Sequence, residues 1–350
     1  RTPNERGVPP IFPGNENGGT SEKSNSFKGY IPKSRYSVVD LYLGGHPDFD
    51  KSLNDTEVPI NKKVYDRLID NEIFPIDTDL ARHFAHLFIR DPLVIFQEKL
   101  DVQNNTTDTD HFENIQSTNW QTLRFKPPTQ AATPDNLQVP GWRVEFRPLE
   151  IQITDFENAA FSVFIYLLVE CILTFPKSVN TYIPMSKIWE NMDTAHHRDS
   201  VLKSEFHWKS TFSDKKNFET QKATIKNIFN NKDFGIFNVF INRILKHKQL
   251  IENDWSELLE RHSSNKDLVR LYYYLHYIHQ KSTGEIPSWA FYLRNFVLNH
   301  KDYRKDSKVT ETINRDIVHL TEDFYHYRNK DFLVGFFGQT LGSYLFETPI

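Results

Sequence analysis

A chain of 350 residues, 38% hydrophobic and 14% aromatic, is long enough for two ordinary domains or one large one, and its 28 phenylalanines and 15 tyrosines predict a ring-rich core. A net charge of -4, with both signs interspersed, excludes the basic footprint of a nucleic-acid binder while leaving room for a local phosphate site. A single cysteine, Cys171, excludes a disulfide within the chain and a cysteine-only metal site. It lies in an apolar run and reads as a buried core residue; such sparing use of cysteine fits a reducing compartment and an expected cytoplasmic location.

No signal or transit pattern opens the chain, which starts Arg-Thr-Pro rather than with Met and reads as part of a longer protein. Residues 1–30, rich in Pro, Gly, Asn and Ser, read as a connecting loop. A helix is predicted over 62–71. A stronger one follows from Asp79, which is the expected cap, with Leu80, Phe84, Leu87 and Phe88 at helical spacing. Pro92 can open another helix carrying Leu93, Phe96 and Leu100, and polar residues 102–111 read as a surface loop.

Two segments alternate as strands do, 120–126 and 142–147, each ended by proline. Pro127, Pro128, Pro134 and Pro140 lie between them, so they form either a long-looped hairpin or two strands of a larger antiparallel sheet. Beyond Pro148 the pattern is mostly helical: Asp155 and Glu157 supply the acidic first turn of a helix over 156–175. Further helices are predicted over 185–203, 221–231, 236–246, 267–281 and 287–299, with the lysine- and serine-rich 204–222 looping out. The apolar stretch 159–175 contains Ser162 and Glu170 and reads as a buried helix rather than a membrane span. The predicted class is α+β: a strand-bearing part over 31–155 and a mainly helical part over 156–350.

The segment from Gly141 to Arg147 (GWRVEFR) carries the most chemistry. Alternation puts Trp142, Val144 and Phe146 on one face, expected to enter a core, and Arg143, Glu145 and Arg147 on the other. The charged face is either solvated, with its charges paired across strands, or it lines a site for anionic substrates. In the second case Glu145 would hold a metal ion and the arginines phosphate or carboxylate. On the other strand Trp120, Thr122, Arg124 and Lys126 share a face, so the two together make a cationic groove of the kind phosphoryl transfer needs. His83 and His86 read as packing or hydrogen-bonding residues. Zincin, P-loop, Rossmann and serine-hydrolase signatures are absent.

These same residues carry a resemblance. The runs His111 to Pro128 (HFENIQSTNWQTLRFKPP) and Gly141 to Ala160 (GWRVEFRPLEIQITDFENAA) resemble the eukaryotic glutamate–cysteine ligase catalytic subunit, in its fungal branch. So do RTPNERG (1–7), IPKSRY (31–36), AHLFIRDP (85–92), WENM (189–192) and AHHRD (195–199). The match is dense to about residue 202 and thinner beyond, where STGE (282–285) and 296–307 continue it.

The resemblance implies a glutamine-synthetase-like fold, with a curved antiparallel sheet as the floor of the active site and helices around it. It implies ATP-dependent joining of L-glutamate, through its γ-carboxylate, to L-cysteine, through its α-amine, by way of an acyl phosphate with Mg2+ at the phosphates. Glu145 is then a magnesium ligand, and Arg147 stabilises the phosphoryl group in transfer. Arg1 binds the glutamate carboxylate, and Tyr36 and Trp120 shape the cysteine pocket. Lys126, Arg124 and Arg143 contact nucleotide or acyl phosphate, Lys126 as a catalytic candidate. Glutathione is the implied feedback inhibitor, and a regulatory subunit or homo-oligomer the implied partner, with neither nucleic acid nor membrane. The family places most magnesium-binding glutamates ahead of its Arg-Thr-Pro motif, so this chain alone is expected to be inactive. Two alternatives stand beside this reading: another carboxylate–amine ligase, or a non-catalytic binding module.

Overall fold

A computed structural model describes residues 41–43, 49–70, 75–89, 97–99, 104, 108, 123–126, 143–212 and 218–348. The chain divides into two compact units, Arg1–Leu149 with Pro184–Trp189, and Glu150–Ile183 with Glu190–Ile350.

In the first unit α1 (Lys62–Ile69) and α2 (Thr78–Leu87) pack together. Asn61 caps α1 by accepting from Val64 N at 3.3 Å, donates through its amide to Phe88 O at 3.2 Å, and sends its backbone N–H to Ala85 O at 2.9 Å. The start of one helix is thereby tied to the end of the other. The cap of α2 is Asp77, whose Oδ1 accepts from Asp79 N at 2.9 Å and Leu80 N at 3.3 Å. Asp79, the expected cap, instead sits in the first turn, where its charge suits the helix dipole. The buried line of α2 is Ala81, Ala85, His86 and Leu87, because the two alanines permit close approach to α1 while Leu80, Phe84 and Phe88 stay half-buried. His86 is a core residue, its Nδ1 2.7 Å from Pro59 O, as its packing role predicted. The helix expected from Pro92 lies almost wholly outside the described residues, as do the 1–30 loop and nearly all of 102–111; within 92–100 a single 3-10 turn is described, Gln97–Lys99.

The two predicted strands pair directly and antiparallel: β1 (Leu123–Lys126) with β2 (Arg143–Phe146), in the register Leu123↔Phe146, Arg124↔Glu145, Phe125↔Val144, Lys126↔Arg143. The two are therefore direct neighbours, as a hairpin alone or within a larger sheet. The expected burial is not found: Val144 is 58% and Phe146 44% exposed. Alternation decides which side of a strand is apolar, but only a second layer buries it, and among the described residues no layer closes over these two side chains.

The second unit is built on α3 (Asp155–Thr174), opened by a capping box in which Thr154 and Glu157 satisfy each other's backbone N–H. By length and composition α3 could cross a membrane. One face of it is built into the core, with Phe156, Ala160, Phe164, Leu167 and Cys171 buried in the main apolar cluster, while Tyr166, Val169, Ile172 and Leu173 are exposed. Burial pushes the Cys171 thiol up to about 11, as befits the core residue expected.

The helix expected over 185–203 is two, α4 (Met185–Ala195) and α5 (Ser200–Lys203), separated at Asp199, which adopts φ 57°. The segment expected to loop out forms a hairpin, β3 (Glu205–Lys209) with β4 (Thr220–Thr224). Asn191 holds β3 as a neighbouring strand would, donating to His207 O at 2.9 Å and accepting from His207 N at 2.7 Å. Consequently only the second part of the helix expected over 221–231 is helical, α6 (Ile225–Asn230), capped by Thr224. A π-helical turn, Phe237–Asn242, leads into α7 (Arg243–His247), and α8 (Glu257–Arg261), α9 (Lys266–Thr283) and α10 (Trp289–Asn299) follow.

Two helices not anticipated complete the unit, α11 (Glu311–Tyr325) and α12 (Lys330–Glu347). The second is kinked at Gly338 (φ 78°, ψ 167°), a conformation suited to glycine. The kink brings Gly342 so close to Leu333 that a Cβ there would lie 2.7 Å from the Leu333 backbone. Rings dominate the core, as composition predicted: Trp289 stacks on Phe336 at 4.1 Å and meets Phe324 edge-on at 4.9 Å.

Candidate functional site

The β1–β2 pair brings the predicted charged positions together. In an antiparallel ladder, residues directly opposite share a face. The register therefore sets positions 124 and 126 on the same side as Arg143 and Glu145, with Arg147 next in the alternation. Four cationic positions thus surround one carboxylate. Arg147 Nε lies 3.0 Å from Glu145 Oε1, in side chains 20% and 31% exposed. Such a pair, two residues apart in sequence, lets an incoming anion take the guanidinium while the carboxylate turns to a cation.

Of the other predicted site residues, Arg1, Tyr36 and Trp120 lie outside the described residues, and Arg124 and Lys126 are described as strand positions. No group of three or more His, Cys, Asp or Glu that could hold a metal ion occurs among the described residues. Glu145 fits a narrower role. Magnesium is commonly held by one or two carboxylates together with water and substrate phosphates, and Glu145 can supply one of them.

The run Gly141 to Ala160, which looks like one motif, divides into two physical roles. Up to Arg147 it presents charge on a strand. From Thr154 it builds a helix start around Glu157, which is fully buried. Glu157 Oε1 accepts from the Tyr277 hydroxyl at 2.8 Å and Trp289 Nε1 at 2.9 Å. Its Oε2 accepts from Thr154 N at 3.2 Å and Thr154 Oγ1 at 3.0 Å. Four donors occupy that carboxylate, which therefore joins α3, α9 and α10 and has no capacity left for a ligand.

The second unit also holds a feature that no sequence pattern singles out, a cavity of about 910 Å³ reached by Lys281 of α9. Desolvation pushes that ammonium down to about 8, against the pull of the Glu157 carboxylate.

Comparison with known proteins decides the family. The profile described as glutamate-cysteine ligase matches residues 1–324. The chain belongs to the glutamate–cysteine ligase family. Among its relatives, glutamate–cysteine ligase of Saccharomyces cerevisiae is 52% identical over 349 residues, which cover 99% of this chain and 51% of the relative. That of Dictyostelium discoideum is 40% identical over 303 residues, 84% of this chain and 44% of the relative. The glutamate–cysteine ligase catalytic subunit of Rattus norvegicus is 38% identical over 335 residues, 91% and 46% of the two chains. The chain thus spans about half the length of the curated relatives it matches. Within the glutamate–cysteine ligase family match lie both strands of the charged pair and all of α3 to α10.

Proposed function

We propose that this chain supplies the phosphate-handling strands of a glutamate–cysteine ligase, the enzyme that joins the γ-carboxylate of L-glutamate to the α-amine of L-cysteine at the expense of ATP. The observation that carries the reading is the β1–β2 register, which gathers Arg124, Lys126, Arg143 and Arg147 on the face of Glu145 in a chain of this family.

A carboxylate is a poor electrophile, so its oxygen first attacks the γ-phosphorus of ATP. The P–O bond to ADP breaks, and an acyl phosphate forms. The cysteine amine then attacks the acyl carbon, the C–O bond to phosphate breaks, and the nitrogen loses a proton to give the amide. In both steps negative charge builds on phosphoryl oxygens. Arg147 faces that charge, with Arg124, Lys126 and Arg143 flanking it, and preorganised donors of this kind are worth about 10²–10³ in rate each. Glu145 would hold Mg2+, which when bound offsets phosphate charge and orients the leaving group. Arg1 would bind the glutamate α-carboxylate, and Tyr36 and Trp120 would enclose the cysteine.

The glutamine-synthetase-like sheet expected of the family needs more strands than this pair. A two-stranded ribbon with exposed Val144 and Phe146 is consistent with further sheet supplied by the rest of a longer protein. The chain by itself would then be inactive. Glutathione as feedback inhibitor, a regulatory subunit or second copy as partner, and a cytoplasmic location belong to the same reading. The rat and human relatives are called catalytic subunits, which fits a partner subunit.

The test is ADP release by the complete protein with glutamate, magnesium-ATP and cysteine, in wild type and Arg147→Ala. Cysteine-dependent turnover that falls at least about a hundredfold in the variant supports the reading. The folded protein should lose less than about 1 kcal/mol, because the Glu145–Arg147 pair is partly solvated. Activity unchanged in the variant removes the Arg147 role, and wild-type protein inert toward every amine acceptor removes the ligase.

A further inference from the structure

The cavity of the helical unit is walled mainly by apolar side chains, among them Phe161, Leu202, Phe229, Ile278 and Ile286. Its volume of about 910 Å³ is of the size that encloses small organic ligands. Into this apolar space projects one half-buried cation. Lys281 Nζ donates to Pro287 O at 2.6 Å and otherwise meets ring faces, 5.5 Å from the Tyr277 centroid and 5.2 Å from that of Phe336. An ammonium has three N–H donors, so a single carbonyl leaves it under-compensated. The neighbouring carboxylate, Glu157, is already bonded to Tyr277, Trp289 and Thr154.

A second positive element faces the same space. Residues 288–291, the cap and first turn of the eleven-residue helix α10, line the cavity, and helix N-termini favour anions. The other charged groups of the wall sum to zero: Arg294 pairs with Asp199 at 3.4 Å, and Glu150 and Arg198, of opposite sign, are both exposed to solvent. One uncompensated positive charge in an apolar chamber suits a single negative charge on an apolar body. It does not suit a phosphate group, which demands several donors.

We propose that this cavity binds a small amphipathic carboxylate, its apolar body against Leu202, Phe229, Ile278 and Ile286 and its carboxylate on the Lys281 ammonium. The site shares no residue with the charged strand pair, so it stands apart from the ligase reading.

The experiment is isothermal titration of the complete protein carrying this sequence with octanoate and with 1-octanol, which differ in charge at nearly constant size. Octanoate should bind at least tenfold more tightly than octanol. Lys281→Met keeps the side-chain length and removes the charge, and should bring the two affinities level. Ala290→Trp narrows the cavity with Lys281 intact, and should weaken both. Equal affinities in wild type overturn the proposal even if a variant fails to fold. So does an octanoate preference that survives Lys281→Met, or no octanoate binding at all, the result expected if another part of the protein fills the chamber.

Discussion

Replacing Glu157 by glutamine exchanges one oxygen for an NH2 group at the centre of the helical unit. The wild-type carboxylate receives four donors on two oxygens: Tyr277 and Trp289 on one, the N–H and hydroxyl of Thr154 on the other. Glutamine keeps one acceptor oxygen. Turned one way, its NH2 meets the Trp289 indole N–H; turned the other, it meets the Thr154 backbone N–H. The hydroxyls of Tyr277 and Thr154 can rotate to accept, but an indole or a backbone N–H can only donate. Either orientation therefore strands one buried donor, at about 1–3 kcal/mol. Losing a buried charge recovers part of the cost, and weaker bonds on the retained oxygen add to it, so the net destabilisation is about 2–3 kcal/mol. At about 2–4 °C per kcal/mol for a unit of this size, the melting temperature should fall by roughly 4–12 °C. Circular dichroism melting of the complete protein measures that fall. Hydrogen exchange should place it in α3, α9 and α10, the helices the carboxylate joins. A variant that melts with wild type and exchanges like it would refute the four-donor account of this residue.

Lys281→Met should stabilise the protein near neutral pH. The folded-state pKa of about 8 lies below the ordinary 10.5, so the lysine costs stability below pH 8 and ceases to do so above 10.5. At 1.36 kcal/mol per unit the gain is up to about 3 kcal/mol, less about 1 for the bond to Pro287, and urea denaturation at pH 7 and at pH 10.5 should show it shrinking at the higher pH. His276 is held below its ordinary value chiefly by desolvation, and its Nε2 has no hydrogen-bond partner. Stability should therefore fall as pH drops below 6.5, and His276→Phe, which keeps a ring beside Tyr272, should raise the unfolding free energy by about 1 kcal/mol at pH 7.5 and by more at pH 5.5, read by urea denaturation. Gly342→Ala drives a methyl into the Leu333 backbone and should cost about 1–3 kcal/mol, read as a lower melting temperature.

How far the sequence carried these conclusions depends on whether a signal is local. The helices over 156–175, 267–281 and 287–299 lie within a residue or two of α3, α9 and α10, because apolar spacing and caps are properties of neighbours in sequence. The β3–β4 hairpin was hidden by its lysines and serines, and it is held by Asn191, a residue of another element. The alternation of Arg143, Glu145 and Arg147 was plain, but that Arg124 stands opposite Glu145 follows only from the pairing. Exposure of Val144 and Phe146 was likewise beyond the pattern, since it depends on what lies above the strand. Lys281 looked like any polar residue of a helix. Its setting is made by Phe336 from α12, Pro287 before α10 and Glu157 from α3.

The carboxylates between residues 141 and 160 show why a family motif has to be read residue by residue. Glu145, Glu150, Asp155 and Glu157 all fall within one run that resembles the ligases, and any of them could be nominated as a magnesium ligand from the letters alone. Glu157 is eliminated because its two oxygens already receive four donors in the core. Glu150 and Asp155 are exposed, and Asp155 is spent on the first turn of α3, where its charge suits the positive end of the helix dipole. Glu145 alone stands among cationic strand positions, partly covered, with one oxygen on Arg147. A carboxylate so placed keeps Arg147 oriented before an anion arrives, and the same charge can pass to a metal once the guanidinium turns to phosphate. Neutralising Glu145 would thus disturb Arg147 as well, and the two substitutions should be less than additive in any assay of phosphoryl transfer.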